Sequence, residues 1–310
     1  MGARILAIAL NTYREAVRAR VLHALLALAL ATTVCSLVVA TLSLHGETRV
    51  VADLGAASIS LYSALVAIVM GATSLYREIE HKTIFPILTR PLRRHEYLLG
   101  KYVGTIATLA VFVAIDGGVV LALLGVEAGQ SLAYTIGALV VLLAILAVSL
   151  VRARYQRVFV VMPWALVFFA VMAWLAAPAG PERQVVVASA SLTVCEVAIV
   201  VAVATLFSSF SSPALTAVFT LGVFLVGRSA DTLGNLPVHM FGQTLRDLGG
   251  AMAHVFPNLQ IYVPPRPLLL GEVSGTSLPG FVASAAVHAV FYSGALLVCA
   301  ALAFRRRDFQ

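Results

Sequence analysis

Residues 77–101 form the densest polar segment of a chain that is otherwise mostly apolar. The segment begins with an acidic pair, Glu78 and Glu80, followed by the imidazole of His81 and the ammonium group of Lys82. Charges of both signs on a short loop between two apolar stretches suit the docking of a soluble protein partner. The alternative is a solvated loop whose charges serve only to set the topology of the chain.

The same segment lacks the chemistry that nucleotide hydrolysis requires. A phosphate-binding loop needs Gly-x-x-x-x-Gly-Lys followed by Ser or Thr, because its backbone amides cradle the phosphates. Only two lysines occur in the chain, and Lys82 follows His81 where the motif needs glycine. Lys101 does follow Gly100, but Tyr102 stands where the motif needs Ser or Thr. We therefore expect that this chain is not an enzyme and that it holds no cofactor.

The composition is that of an integral membrane protein. Hydrophobic residues make up 61% of the chain, charged residues 11%, and the mean hydropathy is +0.98. Soluble proteins have about 25% charged residues. We expect membrane lipid around the chain and no nucleic-acid partner. Three cysteines lie inside apolar runs without paired or metal-ligand spacing, which predicts small core residues.

The apolar runs predict an all-α fold of about eight transmembrane helices. Each span needs roughly 20 residues, because a helix satisfies its own backbone hydrogen bonds in lipid. A six-span alternative must treat residues 132–178 as not spanning the membrane, and the basic cluster at 152–157 then has no natural place in the layout. The predicted spans are 21–44, 57–76, 102–125, 132–151, 157–178, 185–207, 213–229 and 281–304.

The distribution of Lys and Arg predicts the orientation. Basic residues concentrate in short cytoplasmic loops. With the N-terminus inside, sixteen of the 21 basic residues fall on the cytoplasmic side. An even number of spans then puts both termini in the cytoplasm, and we expect a multi-pass protein of the bacterial inner membrane. The five basic residues left on the outer side are Arg49, Arg183, Arg228, Arg246 and Arg266.

Four regions follow from this layout. The N-terminal region alternates apolar residues with arginines, which predicts a helix lying along the inner headgroups; an ordinary cytoplasmic start of the first span is the alternative. Prolines and glycines after the seventh span predict turns and short helices capping the outer end of the bundle. The regions are an interfacial helix at 1–20, helices one to seven at 21–229 with a coupling loop at 77–101, an extracytoplasmic cap at 230–280, and the last span with a basic tail at 281–310.

Two carboxyl groups are predicted to lie inside the membrane. Asp116 is about 15 residues into the third span and Glu196 is near the middle of the sixth. Intramembrane carboxyls are costly and suggest function, but each can instead hold the bundle together through a Ser or Thr of a neighbouring helix. For Asp116 both roles stay open, whereas for Glu196 we favour the structural role. We predict no metal site, because the His and Met residues of 239–254 are scattered.

The polar segment resembles the permease subunits of ABC-2 type transporters, in particular the group associated with multicopper-enzyme maturation, which includes the permease of the nitrous oxide reductase maturation system. The resemblance rests on the acidic pair, Thr and Pro-containing apolar step of 78–91 and on the Glu-aromatic-Leu-Leu-Gly-Lys run of 96–101. Weaker similarity occurs at 206–214 and 256–260. These permeases usually have six spans, so the additional pair at 132–178 departs from the family pattern.

The resemblance implies an exporter in which a dimer of permeases, either two identical copies or two related chains, is served by two cytoplasmic ATPase subunits. Those subunits bind ATP and Mg²⁺, and a cytoplasmic coupling helix of this chain inserts into a cleft of the ATPase. The residues expected at that contact are Glu78, Glu80, His81, Lys82, Thr83, Ile84, Pro86, Arg90 and Pro91.

Two other functions remain open from the sequence. One is an ion-gradient-driven secondary transporter that uses Asp116 and Glu196 as a proton relay, although no inverted repeat is visible. The other is a membrane anchor that binds an ATPase without transporting anything. The substrate is not determined by the sequence.

Overall fold

The computed structural model describes residues 2–43, 46–80, 94–153, 157–235, 238–272 and 277–305. Within these ranges the chain is almost entirely α-helical and has no β-strand, which confirms the all-α prediction. Two single 3₁₀ turns occur at Ala177–Ala179 and Gln260–Tyr262. The helices are α1 (Gly2–Val17), α2 (Arg20–Thr41), α3 (Glu47–Glu80), α4 (Arg94–Glu127), α5 (Leu132–Arg152), α6 (Arg157–Leu175), α7 (Pro181–Ser208), α8 (Pro213–Arg228), α9 (Ala230–Gly234), α10 (Val238–Val255), α11 (Arg266–Leu269) and α12 (Leu278–Arg305).

Seven of the described helices are long and apolar enough to cross a membrane: α2 to α7 and α12. The protein is therefore a multi-pass membrane protein. The remaining predicted span, 213–229, is the apolar helix α8, which has only 16 residues. A helix of that length measures about 24 Å, which is less than the hydrocarbon core of about 30 Å.

Short connections make successive long helices antiparallel, so the bundle has two ends. We call the end that carries the turn between α1 and α2 the near end; α3 and α7 finish there, and α4, α6 and α8 begin there. The opposite, far end carries the connections between α2 and α3, between α4 and α5, and between α6 and α7.

Helices α3, α4 and α7 form the centre of the bundle. Helix α7 packs against α3, α4, α8 and α12, and α3 also packs against α2 and α4. Helices α5 and α6, the pair at 132–178, lie at the periphery, where α6 packs on α4 and α5 packs mainly on α6. Trp164 ties this pair together by donating its indole N–H to the Leu142 carbonyl at 2.8 Å. Most large apolar residues of α5 are exposed, as expected for a helix that faces lipid.

Helices α3 and α4 are longer than a span requires. Each has 34 residues and measures about 51 Å, roughly 20 Å more than the hydrocarbon core. The last turn of α3 carries Arg77, Glu78 and Glu80 at the near end. The first turns of α4 carry Glu96 and Lys101 at the same end.

The segment 257–269 belongs to the core at the far half of the bundle. Leu259, Tyr262 and Leu269 are buried in the same apolar cluster as residues of α3, α7 and α12. The Leu259 amide donates to the carbonyl of Gly227 at 3.0 Å, close to the end of α8. This hydrogen bond docks the segment onto the end of the short helix α8.

Candidate functional site

The polar segment lies at the tip of the two long helices. Glu78 and Glu80 belong to the last turn of α3. The other residues of the predicted contact lie outside the described residues; they are His81, Lys82, Thr83, Ile84, Pro86, Arg90 and Pro91.

Helix α1 packs along the first turns of α4, beside this tip. Arg4 lies 4.0 Å from the buried carboxylate of Glu96. Two turns further along α4, Gly104 faces the carbonyl of Ala9, and a Cβ there would come within 2.4 Å of that oxygen. The phenol of Tyr13 is buried against α4 and α6, and this burial raises its pKa to about 12. Helix α1 is therefore fixed to α4 by backbone proximity as well as by side chains.

At the centre of the bundle, Glu196 of α7 forms an ion pair with Arg228, the last residue of α8. Arg228 Nε donates to Glu196 Oε1 at 2.9 Å, and Nη2 donates to Oε2 at 3.1 Å. Ser60 of α3 closes the group, because its hydroxyl donates to Glu196 Oε2 at 3.1 Å and accepts from Arg228 Nη2. The Glu196 side chain is fully buried. The ion pair thus joins three helices.

The sequence points to Glu196 but not to its partner. By sequence alone, Arg228 is one of five basic residues on the outer side. A signal was available, because an apolar helix that ends in Arg is suited to bring a counter-charge to a buried carboxylate. What the sequence could not supply was the pairing of α8 with α7 and the depth at which α8 ends.

The second buried carboxyl, Asp116 of α4, has a different environment. Thr33 of α2 donates to its Oδ1 at 3.2 Å. Its Oδ2 is buried and has no hydrogen-bond partner among the described residues. The rings of Phe168 and Phe169 from α6 pack against the glycines that follow it. Within the described part of the chain, the hydrogen-bond partners found for Asp116 and for Glu196 include no common residue.

A second ion-pair group closes the far end. Arg266 of α11 donates to Asp53 of α3 through Nη1 and to both carboxylate oxygens of Glu182 through Nη2. Arg49 lies 3.7 Å from Asp53, one helical turn away. Three of the five arginines on this side are therefore paired with carboxylates of other elements or of the same helix.

Between the two ion-pair groups lies a cavity of about 380 Å³, which we call the far-end cavity. Its walls are α3, α7 and the segment 262–269, with Asp53 and Arg266 at one end and Ser60 and Arg228 at the other. Seven residues separate Asp53 from Ser60 along α3, a rise of about 10 Å. The sequence gives no sign of this cavity, because its walls come together only in the tertiary structure.

Among the residues that the structure describes, no three His, Cys, Asp or Glu side chains are grouped closely enough to hold a metal ion. In comparisons with known proteins, no protein-family model and no curated protein matches this chain.

Proposed function

We propose that this chain is the permease subunit of an ATP-driven exporter of the ABC-2 type, located in the bacterial inner membrane with the near end of its bundle in the cytoplasm. The orientation is supported by the distribution of Lys and Arg, sixteen of which belong to the N-terminus, to the connections at the near end or to the C-terminal tail. Three of the five far-side arginines are ion-paired and are therefore weak as topological signals.

The observation that carries the proposal is the pair of long helices that hold the polar segment. Helices α3 and α4 are both longer than a span requires. Helix α3 ends in Arg77-Glu78-Ile79-Glu80, α4 begins with Arg94-His95-Glu96, and residues 81–93 connect these charged ends. A soluble partner that pushes on this connection acts on two rigid helices at once. One of them, α3, packs against α7 in the centre of the bundle, and the other, α4, carries α1.

In the proposed cycle the partner is a pair of cytoplasmic ABC ATPases, which bind ATP and Mg²⁺. Closure of the ATPases displaces the 81–93 connection, and α3 and α4 transmit that displacement to α7 and α1. A second permease copy completes the pathway for the exported substrate. This chain contributes no catalytic residue; its part is to convert movement of the ATPases into movement of helices.

The test is co-purification and ATP hydrolysis of this chain with an ABC ATPase encoded beside its gene. The variant Glu80→Lys with Lys82→Glu reverses two charges at the predicted contact. We expect it to lose the ATPase or to uncouple ATP hydrolysis from permease movement. The matched control, Arg246→Glu with Asp247→Lys, reverses two exposed charges of α10 and should behave as wild type.

Two results would contradict the proposal. One is normal assembly and normal ATP hydrolysis in the variant at residues 80 and 82. The other is labelling of residues 81–93 from outside the cell, because that would remove the connection from the compartment in which ATP is hydrolysed.

A further inference from the structure

The far-end cavity has the size and shape of a small-molecule site. Its volume of about 380 Å³ lies within the range of roughly 300–1,000 Å³ that is typical of ligand pockets. Most of its wall is apolar and comes from Ala, Val and Leu side chains of α3, α7 and α11. The charged groups lie at its two ends, Asp53 and Arg266 at one and Arg228 at the other, an arrangement that orients a bound molecule.

The inner end presents an arginine with unused donors. A guanidinium has five N–H groups. In Arg228, the Nε hydrogen and both Nη2 hydrogens are used by Glu196 and Ser60. The two Nη1 hydrogens have no acceptor in the described part of the chain, and the Arg228 side chain is 27% exposed. Because Arg228 lines the cavity, these donors are available to a molecule inside it.

The ion pair with Glu196 fixes the orientation of the Arg228 side chain and leaves its Nη1 group unoccupied. Glu196 is fully buried and, unlike Arg228, is not part of the cavity wall. The bidentate contact holds the guanidinium plane, so its Nη1 edge is presented in one orientation. A planar donor pair held in this way is suited to an oxyanion.

The inner end of the cavity favours an anionic head over a cationic one. Arg228, at that end, is paired with Glu196, and Arg266, at the other end, is paired with Asp53 and Glu182, so the charges of these groups largely cancel. What distinguishes the inner end is the unused Nη1 edge of Arg228, which can donate to an oxyanion. An ammonium head would bring donors to the same place and find no acceptor on the guanidinium.

From this geometry we infer that the far-end cavity binds a small amphiphile with a monoanionic head, a carboxylate or a phosphate ester. The head accepts hydrogen bonds from Arg228 Nη1, beside the hydroxyl groups of Ser60 and Thr193. The apolar body extends along α3 and α7 toward the ion-pair group of Arg266. The site is independent of the proposed transport function, because binding requires neither ATP nor an ATPase.

The first experiment measures binding of three soluble probes to the purified full-length chain in detergent by titration calorimetry. The probes are 4-phenylbutyrate, 4-phenylbutanol and 4-phenylbutylamine, which share a body and differ in head-group charge. We expect the carboxylate to bind at least tenfold more tightly than the alcohol, and the amine to bind most weakly. Equal binding of the three probes would count against the proposal.

Two variants then place the binding in the cavity. Arg228→Gln combined with Glu196→Gln removes the guanidinium without leaving a buried charge unpaired, and should abolish the preference for the carboxylate. Ala56→Leu fills the cavity wall and should abolish binding of 4-phenylbutyrate. Its matched control is Ala133→Leu on the exposed face of α5, which should bind like wild type. Cooperative thermal unfolding of every variant confirms that it is folded.

A third measurement identifies the source of the anion. Native mass spectrometry of the chain taken from mixed phosphatidylglycerol and phosphatidylcholine membranes reports which lipid is retained. Retention of phosphatidylglycerol that Ala56→Leu abolishes assigns the site to an anionic lipid headgroup. Carboxylate binding without lipid selection assigns it to a free solute. Absence of both, or a carboxylate preference that survives the double substitution at residues 228 and 196, overturns the inference.

Discussion

The Glu196–Arg228 pair shows how a strongly apolar bundle can contain a full charge. A buried carboxylate is costly unless a counter-charge and hydrogen bonds compensate it. Here the guanidinium supplies both, and the Ser60 hydroxyl supplies a further hydrogen bond. Asp116 accepts from the Thr33 hydroxyl and forms no ion pair among the described residues. The two carboxyls, which look alike in the sequence, should therefore respond differently to neutralisation.

Glu196→Gln should destabilise the protein strongly. The substitution leaves Arg228 without a counter-charge in a mostly buried position, and breaking such pairs costs about 3–5 kcal/mol. The double variant with Arg228→Gln removes both charges and should regain a large part of that loss. The measurement is the midpoint of unfolding by SDS in mixed micelles. Equal midpoints for the single and double variants would contradict this account, because removing Arg228 would then not relieve the loss caused by Glu196→Gln.

Asp116→Asn should be tolerated. Asparagine keeps an oxygen that accepts from Thr33 and removes no ion pair, so we expect a change in unfolding free energy of less than about 1 kcal/mol. We also expect no change in proton flux into proteoliposomes without ATP. A proton flux in the wild type that this substitution abolishes would instead favour the ion-gradient-driven secondary transporter.

Among the elements, the attachment of α1 to α4 depends on a close backbone contact. Gly104→Ala would bring a Cβ within 2.4 Å of the Ala9 carbonyl oxygen, and backbone cannot yield as a flexible side chain can. We expect α1 to separate from α4, with a loss of about 1–3 kcal/mol. Hydrogen exchange of the amides of α1 should increase.

Gly137→Ala provides the control for that experiment. Gly137 lies in the exposed helix α5, and a Cβ there meets no atom within 4 Å. Alanine favours a helix over glycine by up to about 1 kcal/mol, so this variant should be unchanged or slightly stabilised. Equal exchange of α1 in both variants would mean that Gly104 does not hold the contact.

The docking of segment 257–262 depends on a second glycine. A Cβ at Gly227 would lie 2.5 Å from the Pro257 carbonyl oxygen, and the Gly227 carbonyl accepts from the Leu259 amide. Gly227→Ala should therefore increase hydrogen exchange at Leu259. Gly222→Ala on the same helix has no atom within 4 Å of its Cβ and should leave that amide protected. Protection of Leu259 in both variants would contradict this account.

For the molecule as a whole, the orientation can be tested by labelling. The native cysteines Cys35, Cys195 and Cys299 are free and are first replaced by alanine. In that background, Ser131→Cys at the far end should react with a membrane-impermeant maleimide on intact cells. Ala153→Cys at the near end should react only after the membrane is permeabilised. The reverse pattern would place the near end outside.

The sequence by itself determined the class of the protein and the positions of its apolar helices. Seven predicted spans are long apolar helices, because a 20-residue apolar run is a local property that needs no partner to be recognised. Residues 47–56, predicted as a connection, instead extend α3 by about three turns, with Arg49 and Asp53 one turn apart on its surface. The polar residues of this stretch are typical of a connection, although the stretch continues the helix.

Only the tertiary structure decided how the polar residues are combined. The partners of Glu196 are 32 and 136 residues away in the chain, and Arg266 meets a carboxylate 213 residues away. No periodicity or local motif encodes such distances, because they follow from which helices pack together and where α8 ends. The far-end cavity has the same origin, since its walls are drawn from four separate parts of the chain that are adjacent only in the folded bundle.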